Sequence, residues 1–258
     1  MSLTQARHPL DLDDVYVVIP CFNDGDALVE TLHDISRYVP LDRIVVVDDG
    51  SDPPLPTRPP TLHIRNAINQ GLASSVAAGL RAALTAGAAC VVKVDADGQM
   101  DASYLPRFVG VIRDGFDVAT GSFDPSASPA SVVRDDTLFS RLATWLLSVP
   151  FPTLLAEYRA YSHRAATIVA AAPLYGWESC YSLLYCAHLS VVHIPNSVRA
   201  HHPRPFPLSG MIALRVGLLR HARSQGAPLH KLLAAALILT CHLFYNFLFN
   251  FQHNGKRR

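Results

Sequence analysis

The residues best suited to chemistry form three polar clusters, each closing a short apolar run. They are Ile19-Pro20-Cys21-Phe22-Asn23-Asp24, Val47-Asp48-Asp49-Gly50-Ser51 and Val94-Asp95-Ala96-Asp97-Gly98-Gln99. Carboxylates gathered beside buried apolar runs repel one another unless a cation or hydrogen-bond donors compensate. In an extended segment Asp95 and Asp97 point the same way, so both carboxylates can share one divalent ion. Gln99 continues the alternation and offers a further oxygen. Such donors suit Mg²⁺ or Mn²⁺, which keep positions open for phosphate. Asp and Gly are also ordinary turn residues, and a turn after a strand is the plainer reading of the same run. Asp48 and Asp49 carry a similar choice: one of them caps an Asp-Gly-Ser turn, or one accepts hydrogen bonds from a nucleotide base or ribose. No Gly-rich phosphate loop of the Rossmann or Walker type is present, which counts against dehydrogenases and P-loop kinases. A nucleotidyltransferase would show a Gly-rich segment with a nearby Lys or Arg close to the first strand, and this is absent as well.

The elements that must position these clusters alternate along the first half of the chain. Apolar runs at Val15 to Ile19, Arg43 to Val47, Cys90 to Val94 and Val118 to Thr120 predict strands, and the short segment Leu62 to Arg65 is a candidate for another. Between them, Asp24 to Tyr38, Leu72 to Thr85 and Tyr104 to Arg113 predict helices. Strand–helix alternation with continuous apolar strands predicts an α/β fold, a mostly parallel sheet with helices on both faces. In such sheets ligands bind where strands end and loops begin, and the three clusters sit at such ends. Asp52 to Pro60 holds five prolines and predicts an extended loop. Phe123 to Ser131 is small, polar and proline-containing, as a mobile loop would be. The second half reads as helical apart from a strand at Ser190 to Ile194, with a basic amphipathic helix at Ser209 to Arg223.

The 258 residues suffice for one sizeable domain with an appendage. Lys plus Arg number 22 against 21 Asp plus Glu, a balance that does not indicate a nucleic-acid-binding surface. Five scattered cysteines without ligand spacing predict reduced thiols and a cytoplasmic setting. Met1 to Asp14 lacks the pattern of a secretory signal. The expected division is a tail (1–14), a catalytic domain (15–207) and a C-terminal helical extension (208–258). From Leu229 to Phe251 the chain is long and apolar enough to span a bilayer. His242, Asn246 and Asn250 recur every four residues and mark one polar face. Interfacial, spanning and protein-packed readings of this helix stay open, the last including a homo-oligomer contact.

The order and spacing of these segments resemble glycosyltransferase family 2, with the GT-A fold. The resemblance runs from about Val15 to Gly121 and more weakly to about Ser209. Its landmarks are Ile-Pro-Cys-Phe-Asn-Asp, Val-Val-Asp-Asp-Gly-Ser, Asn66 to Gly71, Val-Asp-Ala-Asp-Gly-Gln and Thr120-Gly121-Ser122. Within the family, Asp-Ala-Asp-Gly-Gln and Tyr158-Arg159-Ala160-Tyr161-Ser162 look most like the dolichol-phosphate mannosyltransferase and polyprenyl-phosphate sugar transferase branch. The resemblance implies a nucleotide-sugar donor, UDP- or GDP-linked, and a divalent ion. Pro20, Asn23, Asp24, Asp48, Asp49, Asn69, Gly71, Asp95 and Ala96 would bind the donor, with Asp24 where the family often has Glu. Asp95, Asp97 and Gln99 would hold the metal. Arg159 would contact phosphate or acceptor, and Glu178 would line the acceptor side. Two departures stand out. The branch usually carries Gly-Ser-Arg where this chain has Gly121-Ser122-Phe123. It also tends to have glycine before the Phe/Tyr-Arg pair, where Glu157 stands here.

These expectations frame an inverting transfer. A lipid-phosphate acceptor is already ionised and needs cations, for which Arg134, Arg159, Arg199 and Arg204 are candidates. A saccharide hydroxyl needs a carboxylate base, and Glu178 is then the candidate. A degenerate, non-catalytic scaffold is the remaining reading. His201-His202 can be read as metal ligands, but side chains of adjacent residues seldom converge, and a surface loop is the plainer reading. The implied partners are a nucleotide-sugar, a lipid phosphate and a membrane surface, with the protein on its cytoplasmic face.

Overall fold

The structure is a computed structural model, and the residues it describes are 12–56, 61–123, 130–148, 157–172, 188–197, 216, 219–220, 222–223 and 226–240. Continuous Val, Ile and Cys runs leave no polar face, so the first strands can only sit inside a two-sided sheet. β1 (Val15–Cys21), β2 (Ile44–Asp48) and β4 (Cys90–Lys93) are buried at every position. β3 (Leu62–Arg65), β5 (Val118–Phe123), β6 (Arg159–Ser162) and β7 (Val191–Asn196) complete a seven-stranded sheet of order β3-β2-β1-β4-β6-β5-β7. β3, β2, β1 and β4 are mutually parallel. β6 is antiparallel to both β4 and β5, and β5 pairs parallel with β7. The sheet is therefore mixed and mostly parallel, as expected, with one reversed strand that the sequence reading did not include.

Helices α1 (Gly25–Ile35), α2 (Leu72–Thr85), α3 (Leu105–Arg113), α4 (Ala130–Leu147) and α5 (His163–Ala171) alternate with these strands along the chain. Leu28, Leu32 and Ile35 of α1 join Leu105, Phe108, Val109 and Ile112 of α3 in one core layer. Ala73, Val76, Leu80 and Ala83 of α2 join Ala165, Ala166 and Val169 of α5 in the other. Each fully buried Val, Leu, Ile or Phe contributes roughly 1.5–3 kcal/mol, so the two layers dominate the stability of the fold. The small residues of α2 set its close approach: a Cβ on Gly79 would lie 2.2 Å from Val18 Cγ1 of β1.

Boundaries shift by a few residues from the expected ones. The helix expected from Asp24 to Tyr38 stops at Ile35, where Ser36 N donates to the Leu32 carbonyl. A 3-10 turn at Ala102–Tyr104, capped by the Asp101 carboxylate, precedes α3. The expected strands at Val118 to Thr120 and Ser190 to Ile194 are longer and pair with each other. Residues 229–240 are helical, and among the described residues no helix is long and apolar enough to cross a membrane. The expected Ser209 to Arg223 helix falls mostly outside the described residues, as do most of the loop after Phe123 and the chain beyond 240. Cys21 and Cys90 are buried and in no disulfide, and burial pushes the Cys90 thiol up to about 12.

Candidate active site

Parallel strands bring their carboxyl ends to one edge of the sheet, so Cys21, Asp48 and Lys93 close their strands on the same side. The antiparallel register of β6 sets Arg159 opposite Lys93, which brings Glu157 to that edge as well. Nucleotide-side and metal-side candidates therefore share one rim, although they are held in different ways.

On the β1–β2 side backbone amides hold the carboxylates. Asp48 is fully buried and accepts from Ser51 N (2.9 Å), Leu55 N (3.2 Å) and the Arg65 guanidinium. Burial alone would raise its pKa, but these donors outweigh it and hold the carboxyl below its usual value. Asp49 accepts from Asn66 Nδ2 (2.7 Å), Gln70 N (2.9 Å) and Gly71 N (2.8 Å), which ties the 66–71 loop to the end of β2. Asn69 Oδ1 accepts from the same Gly71 N–H at 2.9 Å, and Gly71 then leads into α2 with φ +89°. Gly50 makes this closure possible, since a Cβ there would lie 2.5 Å from the Ile68 carbonyl carbon at φ +78°. Asn23 N donates to Ser51 Oγ (2.9 Å), while its Oδ1 accepts from Asp52 N (2.8 Å), stapling the loops after β1 and β2. Pro20 lies within β1 opposite Val47, and Asp24 stands at the start of α1.

On the β4 side the carboxylates face ammonium and guanidinium groups. β4 ends at Lys93, and Ala96 and Asp97 lie in a turn completed by Gly98 at φ +73°. Asp97 Oδ1 accepts from Gln99 N at 3.0 Å, an Asx-type closure. The extended alternation expected for Asp95, Asp97 and Gln99 is thus replaced by a turn, because Gly98 bends the chain. Thr31 Oγ1 donates to the Ala96 carbonyl at 3.0 Å and fixes that turn against α1.

Lys93 Nζ sits 2.6 Å from Asp95 Oδ1 and 2.5 Å from Glu157 Oε2. Glu157 Oε1 lies 3.9 Å from Arg159 Nη2. Removing an ammonium from water costs several kcal/mol. For Lys93 burial is outweighed by the two carboxylates, and its pKa ends above the usual value. Burial pushes Asp95 up to about 6 although Lys93 pulls the other way, with Glu157 and Asp97 adding to the rise. Glu157 is lowered: burial opposes this, but Lys93 and Arg159 prevail. Glu157, which stands where the resemblance leads one to expect glycine, is therefore matched by a buried lysine on the neighbouring strand.

Among the described residues no three His, Cys, Asp or Glu side chains gather as a metal cluster. The two carboxylates and one amide of Asp95, Asp97 and Gln99 are all hard oxygen donors, and Lys93 engages one oxygen of Asp95. This set fits a hard divalent ion that draws its other ligands from diphosphate and water. Arg159 is buried at 3% exposure beside Glu157 rather than presented to solvent. Glu178, Arg199, His201, His202 and Arg204, and the side chains of Phe123 and Arg134, lie outside the described residues. Sequence reasoning missed the role of Lys93 and of Asn66. A lysine inside the run Cys-Val-Val-Lys-Val-Asp was the available signal.

With this geometry established, known proteins give the affiliation. The family model for glycosyl transferase family 2 matches residues 16–154. A dolichyl-phosphate hexose transferase of Haloferax volcanii is 30% identical over 154 residues, 58% of this chain and 66% of that protein. An undecaprenyl-phosphate mannosyltransferase of Micrococcus luteus is 28% identical over 172 residues, 60% and 68% of the two chains. An uncharacterized protein of Methanocaldococcus jannaschii is 31% identical over 117 residues, 44% and 48%. The chain thus spans about half to two thirds of the length of the curated relatives it matches. Among solved structures, glucosyl-3-phosphoglycerate synthase of Mycobacterium tuberculosis, in complex with Mn²⁺, UDP and phosphoglyceric acid, superposes with a TM-score of 0.61. It is 19% identical, with 84% of this chain and 80% of that one covered, and the shared architecture is the GT-A fold. More than half of the chain matches the family model, and the protein belongs to glycosyltransferase family 2.

Proposed function

We propose that this protein transfers a sugar, with inversion, from a UDP- or GDP-linked donor to a polyprenyl phosphate, using Mg²⁺ or Mn²⁺. The observation that carries this reading is the single rim on which the tied loops of Asp49 and Asn23 meet the Asp95–Asp97 turn. In this reading Asp49, Asn69 and Gly71 frame the base and ribose, together with Pro20, Asn23, Asp24 and Asp48. Asp95, Asp97 and Gln99 hold the divalent ion, with Ala96 between them. When bound, the ion neutralises charge that develops on the leaving nucleotide. The acceptor oxygen attacks the anomeric carbon from the face opposite the diphosphate. Residues that exclude water on that face limit wasteful hydrolysis of the donor. The names of the Haloferax volcanii and Micrococcus luteus relatives support a polyprenyl-phosphate acceptor.

A second reading, a saccharide hydroxyl acceptor with Glu178 as base, draws on one observation. Glu157 offsets the charge of Arg159, which leaves less positive potential for a phosphate. Two measurements decide. Thermal shifts against UDP-, GDP- and other nucleotide-sugars, with and without Mn²⁺, should show one base with a metal-dependent rise. Transfer of labelled sugar into an organic phase containing polyprenyl phosphate should then follow. Labelled water-soluble saccharide instead would favour the hydroxyl reading, and no shift with any nucleotide would leave the degenerate-scaffold reading.

Membrane association at the cytoplasmic face belongs to the same proposal. Leu229, Leu233 and Leu237 recur one turn apart in the 229–240 helix, and all are exposed. Lys231 Nζ donates to the Trp145 carbonyl at 2.9 Å and lies 5.4 Å from that ring's centre, on the face of the helix turned away from the stripe, where Ala235 and Leu239 are buried. An exposed leucine row on a helix whose opposite face is packed suits a lipid interface. Co-sedimentation with anionic liposomes, lost when the three leucines become serine, is the expected outcome. Size-exclusion chromatography of the same variant tests the homo-oligomer reading of this helix.

A further inference from the structure

The Lys93–Glu157 pair is not explained by stability. Lys93 is 2% exposed at the end of a strand whose other members are Cys90, Val91 and Val92. Replacing a buried ion pair by apolar side chains of similar volume is often neutral or stabilising. A buried lysine and a glutamate 64 positions away therefore call for another reason to be together.

Their geometry supplies one. The ammonium bridges Asp95 Oδ1 at 2.6 Å and Glu157 Oε2 at 2.5 Å, and Glu157 Oε1 faces Arg159 at 3.9 Å. Two cations and two carboxylates thus alternate in a row of zero net charge. An ammonium held between two carboxylates cannot collapse onto either one. It fixes the rotation of Asp95 through one oxygen without engaging the other through that contact. A fixed ligand oxygen removes the entropy cost of ordering it when the donor arrives.

We propose that Lys93 and Glu157 are positioning residues for the nucleotide-sugar: they hold Asp95 in the orientation from which it meets the metal-bound diphosphate. The proposal rests on the donor-site reading given above. Lys93 sets the side chain of Asp95, and Glu157 sets Lys93.

The test is the double variant Lys93→Met/Glu157→Leu, which removes one positive and one negative charge and so leaves the net charge of the row unchanged. Calorimetry with UDP and with GDP, each with and without Mn²⁺, is run beside thermal unfolding. The expected result is a folded variant with Mn²⁺-dependent nucleotide affinity at least tenfold weaker and metal-free affinity unchanged. An intact fold with Mn²⁺-dependent affinity within twofold of wild type overturns the proposal and makes the pair purely structural. Should the double variant not fold, Glu157→Gln replaces it. A loss of threefold or more in Mn²⁺-dependent affinity supports the proposal, and an unchanged affinity overturns it. A wild-type protein that binds neither nucleotide defeats the donor-site reading itself, and the inference with it.

Discussion

The two sides of the rim hold their carboxylates by different means. Beside β2, Asp48 and Asp49 spend their oxygens on fixed donors: four backbone amides, Asn66 and Arg65. Beside β4, Asp95 and Glu157 share the end of one lysine side chain, and Asp97 accepts from Gln99 N in a local contact. Backbone donors cannot leave without unfolding a loop, so the β2 carboxylates belong to the architecture as much as to any ligand. Side-chain contacts carry no loop with them, so the β4 carboxylates can be altered without unmaking the backbone around them. The difference separates residues whose loss should disturb the fold from residues whose loss should disturb chemistry.

The contrast is tested most severely at Asp97. Asp97→Ala should lower turnover by about a thousandfold, at the upper end of what one preorganised charged group contributes. Its stability should hold or rise slightly, because Asp97 adds to the repulsion that lifts Asp95 and its own contact, to Gln99 N, is local. Paired kinetics and urea titrations would check both halves, and a variant that lost stability instead would erase the distinction.

Asp48→Asn should do the reverse. It removes the charge that Arg65 and two amides address at a fully buried position, so it should cost about 3 kcal/mol of stability. Gly50→Ala follows at about 2 kcal/mol, the range for forcing extra volume into a packed contact. Its Cβ would meet the Ile68–Asn69 backbone, so the 66–71 loop must move. Nucleotide affinity and melting temperature should therefore fall together in this variant, and a drop in only one of them would separate the loop from the donor site.

The smallest expected effect is in pH. Asp48 and Asp117 are both held below the ordinary carboxylate value: burial opposes the shift in each, and their donors, Ser190 and Arg164 in the case of Asp117, outweigh it. A depressed folded pKa contributes stability that is present above the unfolded value near about 4 and lost as pH falls through the folded value. Wild-type stability should therefore decline below about pH 4. Asp48→Asn should decline less steeply over the same window, and parallel curves would show that Asp48 carries none of the acid sensitivity.

Much of the first half was legible because its signals are local. Leu62–Arg65 and Leu72–Thr85 have the expected bounds, since turn residues flank a short stretch that alternates apolar and polar, and an alanine-rich run has one small-residue face. The Asp95–Asp97 run was legible as a chemical cluster, and of its two readings, extended or turn, the turn is the one found. Alternation cannot tell a strand from a turn when a glycine follows. β6 was missed because four residues, Arg-Ala-Tyr-Ser, lead directly into α5 and show no period of their own. Only its pairing with β4 and β5 makes it a strand.

By itself the sequence determined the parallel strands, the helices between them and the three strand-end clusters. Those features arise from side-chain periodicity and turn chemistry within a few residues. The tertiary structure alone decided that Lys93 meets Glu157, that Asp49 closes on Gly71, and that Arg159 is turned into the protein. Each of these contacts joins separate elements or depends on a reversed strand, and its energy comes from burial and charge balance that no local pattern encodes.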